Sequence, residues 1–271
     1  MRYRYLSDSH THSRCSFDGR DSVALLARQA VQTGLYALTV TDHCECNEYF
    51  DKNVRDDIAS SVKETSLVRL SLPGQIRIRT GIELGQPTQD EAAARDALSL
   101  ARYDFVLGSL HNLRGEEDFY FLRYNSEAEA IKLFDRYLDE MYELVQQNLF
   151  DSLAHLDYPL RYMTGEAGIK ISDSMFSEKT DAILELLAKN GKALEVNTSG
   201  LRQKIGRTLP GRHILRRFYE LGGRLVTVGS DAHRWGDVGA GIEDAFSLLL
   251  ECGFTSFAVY ENRVPELLPI K

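Results

Sequence analysis

The sequence predicts an α/β protein whose parallel strands close into a barrel. Three observations carry this. Short apolar runs alternate with amphipathic stretches about seven times, the pattern of parallel βαβ units. The first run ends in histidines, and no G-x-G-x-x-G loop follows it as an open dinucleotide-binding sheet requires. Residues suited to chemistry gather at the ends of the runs, where a barrel builds its site.

In order, the runs are YRYLSD (3–8), ALTVTD (37–42), IRIRTGIEL (76–84), FVLGSL (105–110), SLAHL (152–156), ALEVN (193–197) and RLVTVGS (224–230). A further run, FTSFAVY (254–260), follows near the end. Between them, SVALLARQAVQTG (22–34) reads as a helix with Gly34 at C′. SEAEAIKLFDRYLDEMYELVQQN (126–148) is the longest helix, with Ser126 as N-cap and Glu129 completing a capping box. SDSMFSEKTDAILELLAKNG (172–191), RHILRRFYELGG (212–223) and VGAGIEDAFSLLLECG (238–253) are three more. No repeat or low-complexity linker divides the chain, and an α/β barrel of 271 residues is a single domain, 1–271.

A hydrophobic fraction of 43% and a charged fraction of 27% are ordinary for a globular protein with a sizeable core. No apolar run approaches the roughly 18 residues that a membrane-spanning helix needs. The opening MRYRYLSDSH has charges but no apolar core of a signal peptide, so a cytoplasmic location is expected. Net charge of −8 argues against a nucleic-acid partner. Bound cations can still reverse that sign locally for a phosphorylated substrate. Cys15, Cys44, Cys46 and Cys252 lack disulfide-scaffold spacing and read as reduced, the Cys44-Glu-Cys46 pair included. No feature specifies an oligomeric state.

Six of the seven histidines fall at the C-terminal ends of runs: His10, His12, His43, His111, His155 and His233. Asp42, Glu83 and Asp231 share that placement. His213 sits in a helical pattern and reads as surface or packing. Desolvating so many polar groups together is costly unless something coordinates them. Imidazole suits Zn, Fe and Mn, and a carboxylate can bridge two ions. The pattern therefore predicts a polynuclear metal site.

The same residues carry a family resemblance. D-S-H-T-H at 8–12, T-D-H at 41–43, G-I-E at 81–83, S-L-H-N at 109–112, A-H-L-D at 154–157 and G-S-D-A-H at 229–233 resemble the motifs of the PHP (polymerase and histidinol phosphatase) superfamily. Chain length, HLDYPLRY (155–162), EVNTSGLR (195–202) and the terminal ENRVPELLPI are similar to its monofunctional histidinol-phosphate phosphatases. The resemblance implies a distorted (β/α)7 barrel with three divalent metal ions: Zn, Mn or Fe. By motif, His10, His12, Glu83 and Asp231 would hold one ion. Glu83 would bridge to a second, completed by His111 and His155. Asp18, His43 and His233 would hold the third. Asp18 stands where relatives carry histidine, and this harder ligand favours Fe or Mn there. Asp8 and Asp42 each precede a ligand and either orient an imidazole or cap local backbone.

The implied reaction is hydrolysis of L-histidinol phosphate by attack of a metal-bridging hydroxide, with Asp231, Glu83 and His233 at the reacting centre. Nine ligands with three carboxylates and six neutral imidazoles would turn about −3 into +3 with three divalent ions. Arg161 and Arg202 follow the fifth and sixth runs and are expected to clamp the phosphate, with Arg234 a third candidate. Asn112 and Asn197 either help at the rim or cap backbone. Glu45, Glu48, Tyr49, Phe50, Tyr120 and Tyr158 are candidate walls for the imidazole and ammonium of the leaving group, or plain packing. The alternatives are a phosphatase for phosphotyrosine proteins or other small phosphate esters, a phosphodiesterase or nuclease, and a metal-binding module without activity. The last would lack ligands, and every expected position is filled.

Overall fold

A computed structural model describes residues 3–271; Met1 and Arg2, within the stretch read as leaderless, lie outside the described residues. The sheet is built from β1 (Ser7–Asp8), β2 (Ala37–Val40), β3 (His43–Glu45), β4 (Arg77–Gly85), β5 (Phe105–Ser109), β6 (Ser152–Leu153), β7 (Ala193–Asn197) and β8 (Val226–Gly229). All its pairings are parallel, in the order β1-β2-β4-β5-β6-β7-β8. β3 also pairs with β4, continuing β2 after a break at residues 41–42. The sheet therefore has eight strands at seven positions around a barrel, where the sequence predicted seven runs.

Closure comes from chain just beyond the first and last strands. Ser9 N–H donates to Val228 O at 2.9 Å, Asp231 N–H to His10 O at 2.8 Å, and His12 N–H to Ala232 O at 2.8 Å. The strands are buried on both faces, as parallel strands under helices must be. This explains their near-continuous apolar runs.

The covering helices are α1 (Val23–Gln32), α2 (Val54–Ser71), α3 (Glu91–Ser99), α4 (Glu127–Gln147), α5 (Ser177–Lys189), α6 (Arg212–Glu220) and α7 (Ile242–Glu251). Ser22 caps α1 through Leu25 N–H, and Gly34 takes φ 71° just past its end. At α4, Ser126 Oγ accepts from Glu129 N–H at 3.2 Å. Glu129 closes back on Asn125 N–H, one residue before the expected Ser126, so the capping box is offset. α2 and α3 are helices that the sequence pattern did not predict. α2 buries only Ile58, Ser61, Thr65 and Val68 and carries many charges, so its apolar stripe is faint.

FTSFAVY is not a barrel strand. β9 (Ser256–Glu261) and β10 (Val264–Pro269) form an antiparallel hairpin across the N-terminal ends of the barrel strands. Its Tyr260 ring lies 5.0 Å from Phe105, in a cluster with Leu107, Ala154 and Ala193. Asn262 and Arg263 turn the hairpin with φ of 51° and 64°. Arg263 is held there by both Asp151 oxygens and by Leu149 O. The candidate ligands lie at the opposite, C-terminal ends of the strands. Among the described residues, no helix is long and apolar enough to cross a membrane.

Candidate metal centre

The site repeats one local device. A strand ends, and two residues later a polar side chain turns into the mouth. His10 follows β1 by two residues, His111 follows β5, His155 follows β6 and Asp231 follows β8. Glu83 and His43 lie within β4 and β3. His155 and Asp231 take φ of 22° and 54°. A non-glycine residue in such a conformation costs about 1–3 kcal/mol, and this strain concentrates where a side chain must be aimed.

Glu83 sits at the centre and is fully buried. Its Oε2 lies 3.3 Å from His10 Nε2, 3.5 Å from His12 Nε2 and 2.9 Å from His43 Nδ1. Its Oε1 lies 3.2 Å from His111 Nε2 and 3.0 Å from His155 Nε2. Asp231 Oδ1 stands 3.7 Å from His10 Nε2 and 3.4 Å from His12 Nε2. On the outer side, Asp18 reaches His43 Nε2 at 3.7 Å and His233 Nε2 at 2.9 Å. All nine side chains singled out as ligands are thus in one connected group. His213 lies apart in α6.

The chemistry of this group fits cations. Three sets of donors lie close enough together to hold one: His10, His12 and Glu83; His43, Glu83 and His111; and His12, His43 and His233. His10 Nε2, His12 Nε2 and Glu83 Oε2 are buried with no aligned hydrogen-bond partner, as are His43 Nδ1 and His155 Nδ1. An unsatisfied buried polar atom costs about 1–3 kcal/mol, so several pointing at one spot make sense as ligands. Most of the imidazoles are also held by Nδ1. His10 Nδ1 meets Glu195 at 2.7 Å, His111 Nδ1 meets Glu45 at 3.0 Å, His12 Nδ1 meets Ser16 Oγ at 3.3 Å and His233 Nδ1 meets Asp231 O at 3.0 Å. Each of these leaves Nε2 facing inward.

The side chains of the group also act on one another by charge. Burial opposes a charged His10 and His43, but Glu195 and Glu83 at the first and Glu83 at the second hold both pKa values well above the ordinary 6.5. Burial likewise opposes charge on His111, and Glu45 with Glu83 push it up to about 10. Burial beside His43 and His233 lowers His12 to about 3. Burial works against the charged carboxylates, yet the surrounding imidazoles keep Glu83 and Asp231 well below the usual range.

Around this centre the remaining candidates separate. Arg161 is buried, its Nη2 3.2 Å from Ser199 Oγ and 3.5 Å from Asp231 Oδ2, and its guanidinium lies over the Tyr158 ring at 4.7 Å. Arg161 Nε has no partner. Tyr158 in turn lies 5.0 Å from the His111 ring and 5.1 Å from His155, so it lines the centre. Arg202 donates to Ser230 O at 2.7 Å at the rim. Arg234 is exposed and paired with Asp237. The proposed wall in CECNEYF does not exist as one surface. Glu45 turns inward to His111, Tyr49 is buried against Asp96, Glu48 pairs with Lys52, and Phe50 projects outward. Cys44 and Cys46 are buried free thiols in the core.

Neither Asp8 nor Asp42 touches an imidazole. Asp8 accepts from the Ser230 and Gly239 amides, tying the first strand to the last. Asp42 accepts from Ser13 N–H and from the Ser13, Ser16 and Ser61 hydroxyls, shaping the loop that carries Asp18. It reaches His12 only through Ser16. Asn112 shapes its loop through Gln86, Leu113 O and Glu116 O. Asn197 donates to Glu195 at 3.2 Å and to Asp231 at 3.3 Å. Glu195 received no role from the sequence. Its signal was a carboxylate within the otherwise apolar run ALEVN, since Glu is rarely buried unless paired.

Residues 8–199 match the model of the PHP domain. The chain belongs to the PHP domain family. Among curated relatives, this PHP chain is 31% identical to a probable histidinol-phosphatase of Thermotoga maritima, covering 93% of this chain and 94% of the relative. It is 26% identical to a histidinol-phosphatase of Lactococcus lactis, covering 94% of each. The PHP fold itself matches the crystal structure of histidinol phosphate phosphatase from Lactococcus lactis in complex with zinc, L-histidinol and phosphate. That match has a TM-score of 0.78 at 24% identity over 96% of this chain and 98% of the other.

Proposed function

We propose that this PHP chain is a metal-dependent phosphomonoesterase that hydrolyses L-histidinol phosphate to L-histidinol and phosphate. The observation that carries the reading is the cluster of six imidazoles and three carboxylates around Glu83, at the open end of a barrel whose relatives are named for this activity. Three divalent ions fit the donor set. By the family motifs, His10, His12, Glu83 and Asp231 would hold the first, Glu83, His111 and His155 the second, and Asp18, His43 and His233 the third. The carboxylate at Asp18 favours Fe or Mn there. Bound divalent cations supply charge to the phosphoryl oxygens and lower the pKa of water towards neutrality.

The chain's own groups then divide the work. Arg161 is a rigid, buried cation whose guanidinium suits two phosphate oxygens at once. Asp231 joins the two halves of the site, with Oδ1 towards His10 and His12 and Oδ2 towards Arg161. Arg202 contributes from the rim. Beside Arg161 opens a groove of about 690 Å³ lined by Tyr120, Tyr124, Tyr162 and Glu166. Its aromatic faces suit the imidazole of the leaving group, while Glu166 is paired with Lys204 and Arg123 also lines the groove. The partner is a small phosphate ester, and the chain's acidity disfavours nucleic acid.

Stripping and reloading tests this directly. Protein freed of metal with a chelator should release no phosphate from histidinol phosphate, and Zn or Mn should restore turnover. His111→Ala should bind less metal and lose activity by orders of magnitude. Undiminished turnover in the stripped chain would end the metallophosphatase reading.

A further inference from the structure

Two carboxylates outside the nine ligands are buried against them in matching ways. Glu45 leaves β3 and its Oε1 accepts from His111 Nδ1 at 3.0 Å. Glu195 leaves β7 and its Oε1 accepts from His10 Nδ1 at 2.7 Å. A carboxylate at this end of an imidazole can only accept, so it selects the tautomer with the proton on Nδ1 and leaves the Nε2 lone pair free. In both cases that Nε2 faces Glu83, at 3.2 Å for His111 and 3.3 Å for His10.

Each carboxylate is pinned at its second oxygen. Glu195 Oε2 accepts from His155 N–H at 2.9 Å and from Asn197 Nδ2 at 3.2 Å. Glu45 Oε2 accepts from Gln86 Nε2. Each is also seated over a glycine of the neighbouring strand. A Cβ at Gly85 would lie 2.7 Å from Glu45 Oε2, and one at Gly229 would lie 2.6 Å from Glu195 Oε1. The sheet therefore leaves two side-chain-sized gaps, and each is filled by a carboxylate aimed at a histidine.

We propose that Glu45 and Glu195 are positioning residues of the metal centre, each fixing one imidazole so that its Nε2 is presented to a metal ion. Such outer partners fix ring orientation and raise ligand basicity, and their loss costs about 10–100-fold in metal affinity. This inference rests on the metal-centre reading above, and the wild-type protein separates the two. If wild-type protein binds no divalent metal, that reading fails. If it binds and the variants bind equally well, only the positioning role fails.

The experiment measures Zn affinity by chelator competition, with the melting temperature of the metal-free protein as its companion. Glu195→Ala and Glu45→Ala should each weaken Zn binding by about 10–100-fold. Glu195→Gln and Glu45→Gln retain an oxygen acceptor for Nδ1–H and should recover most of that loss, to within about tenfold of wild type. Gly85→Ala keeps Glu45 but displaces it, and should weaken binding as Glu45→Ala does. The metal-free melting temperature shows that each variant is folded when its affinity is read. A Gln variant as weak in Zn binding as its Ala counterpart, or affinities unchanged throughout, would each overturn the proposal.

Discussion

At the scale of the residue, protonation and coordination compete for the same nitrogen atoms. In the metal-free chain His111 titrates near 10 because, against burial, Glu45 and Glu83 favour its charged form. Its folded pKa lies above the ordinary 6.5, so its contribution to stability is complete below about pH 6.5 and is lost as pH rises to about 10. His10 and His43 shift in the same direction. His12, held neutral down to about 3, works the other way: its contribution is present above 6.5 and lost as pH falls. Metal-free protein should therefore melt at falling temperature from pH 6.5 to 10, and His111→Gln should flatten part of that slope. Because a metal ion must displace these protons, affinity for Zn should rise over the same interval. Arg161→Ala should lower kcat/KM for histidinol phosphate by about 10²–10³ with metal content retained, and Arg161→Lys should not restore it. Eight of the nine residues of this cluster were legible in the sequence because imidazoles and carboxylates fall repeatedly at strand ends; Asp18 came only through the family resemblance, and Asp42 shared the placement but binds serines instead. Glu45 and Glu195 were not, because their roles depend on which histidine lies across the barrel and on gaps left by Gly85 and Gly229.

At the scale of the element, legibility followed amphipathy. The apolar runs announced the barrel strands, and Gly34 and Ser126 marked helix ends as backbone freedom and side chain require. α2 escaped because its polar sequence presents only a weak stripe to the barrel. The role of FTSFAVY escaped because alternation identifies a strand without naming its partner, which here is β10. That hairpin packs on the end of the barrel away from the candidate metal centre. Phe257, fully buried and 4.6 Å from Phe246, anchors it. Phe257→Ala should cost about 3–5 kcal/mol in denaturant unfolding, while kcat of the folded fraction stays at the wild-type value.

At the scale of the whole molecule, the proposed metal ions would place positive charge at the mouth of an acidic chain. Metal should therefore stabilise the fold as well as activate it. At a free concentration a thousand times Kd, one site adds about 4 kcal/mol, so chelation should lower the melting temperature and reloading should recover it. Under the proposed reading a small ester needs only the mouth, whereas a nucleic acid would need a basic face. The most direct test is a comparison of kcat/KM in the metal-loaded protein for histidinol phosphate, a phosphotyrosine peptide and bis(p-nitrophenyl) phosphate. The account predicts that histidinol phosphate exceeds both by at least about 10², the discrimination that a few kcal/mol of leaving-group contacts provide. Equal or faster turnover of the peptide or the diester would contradict it.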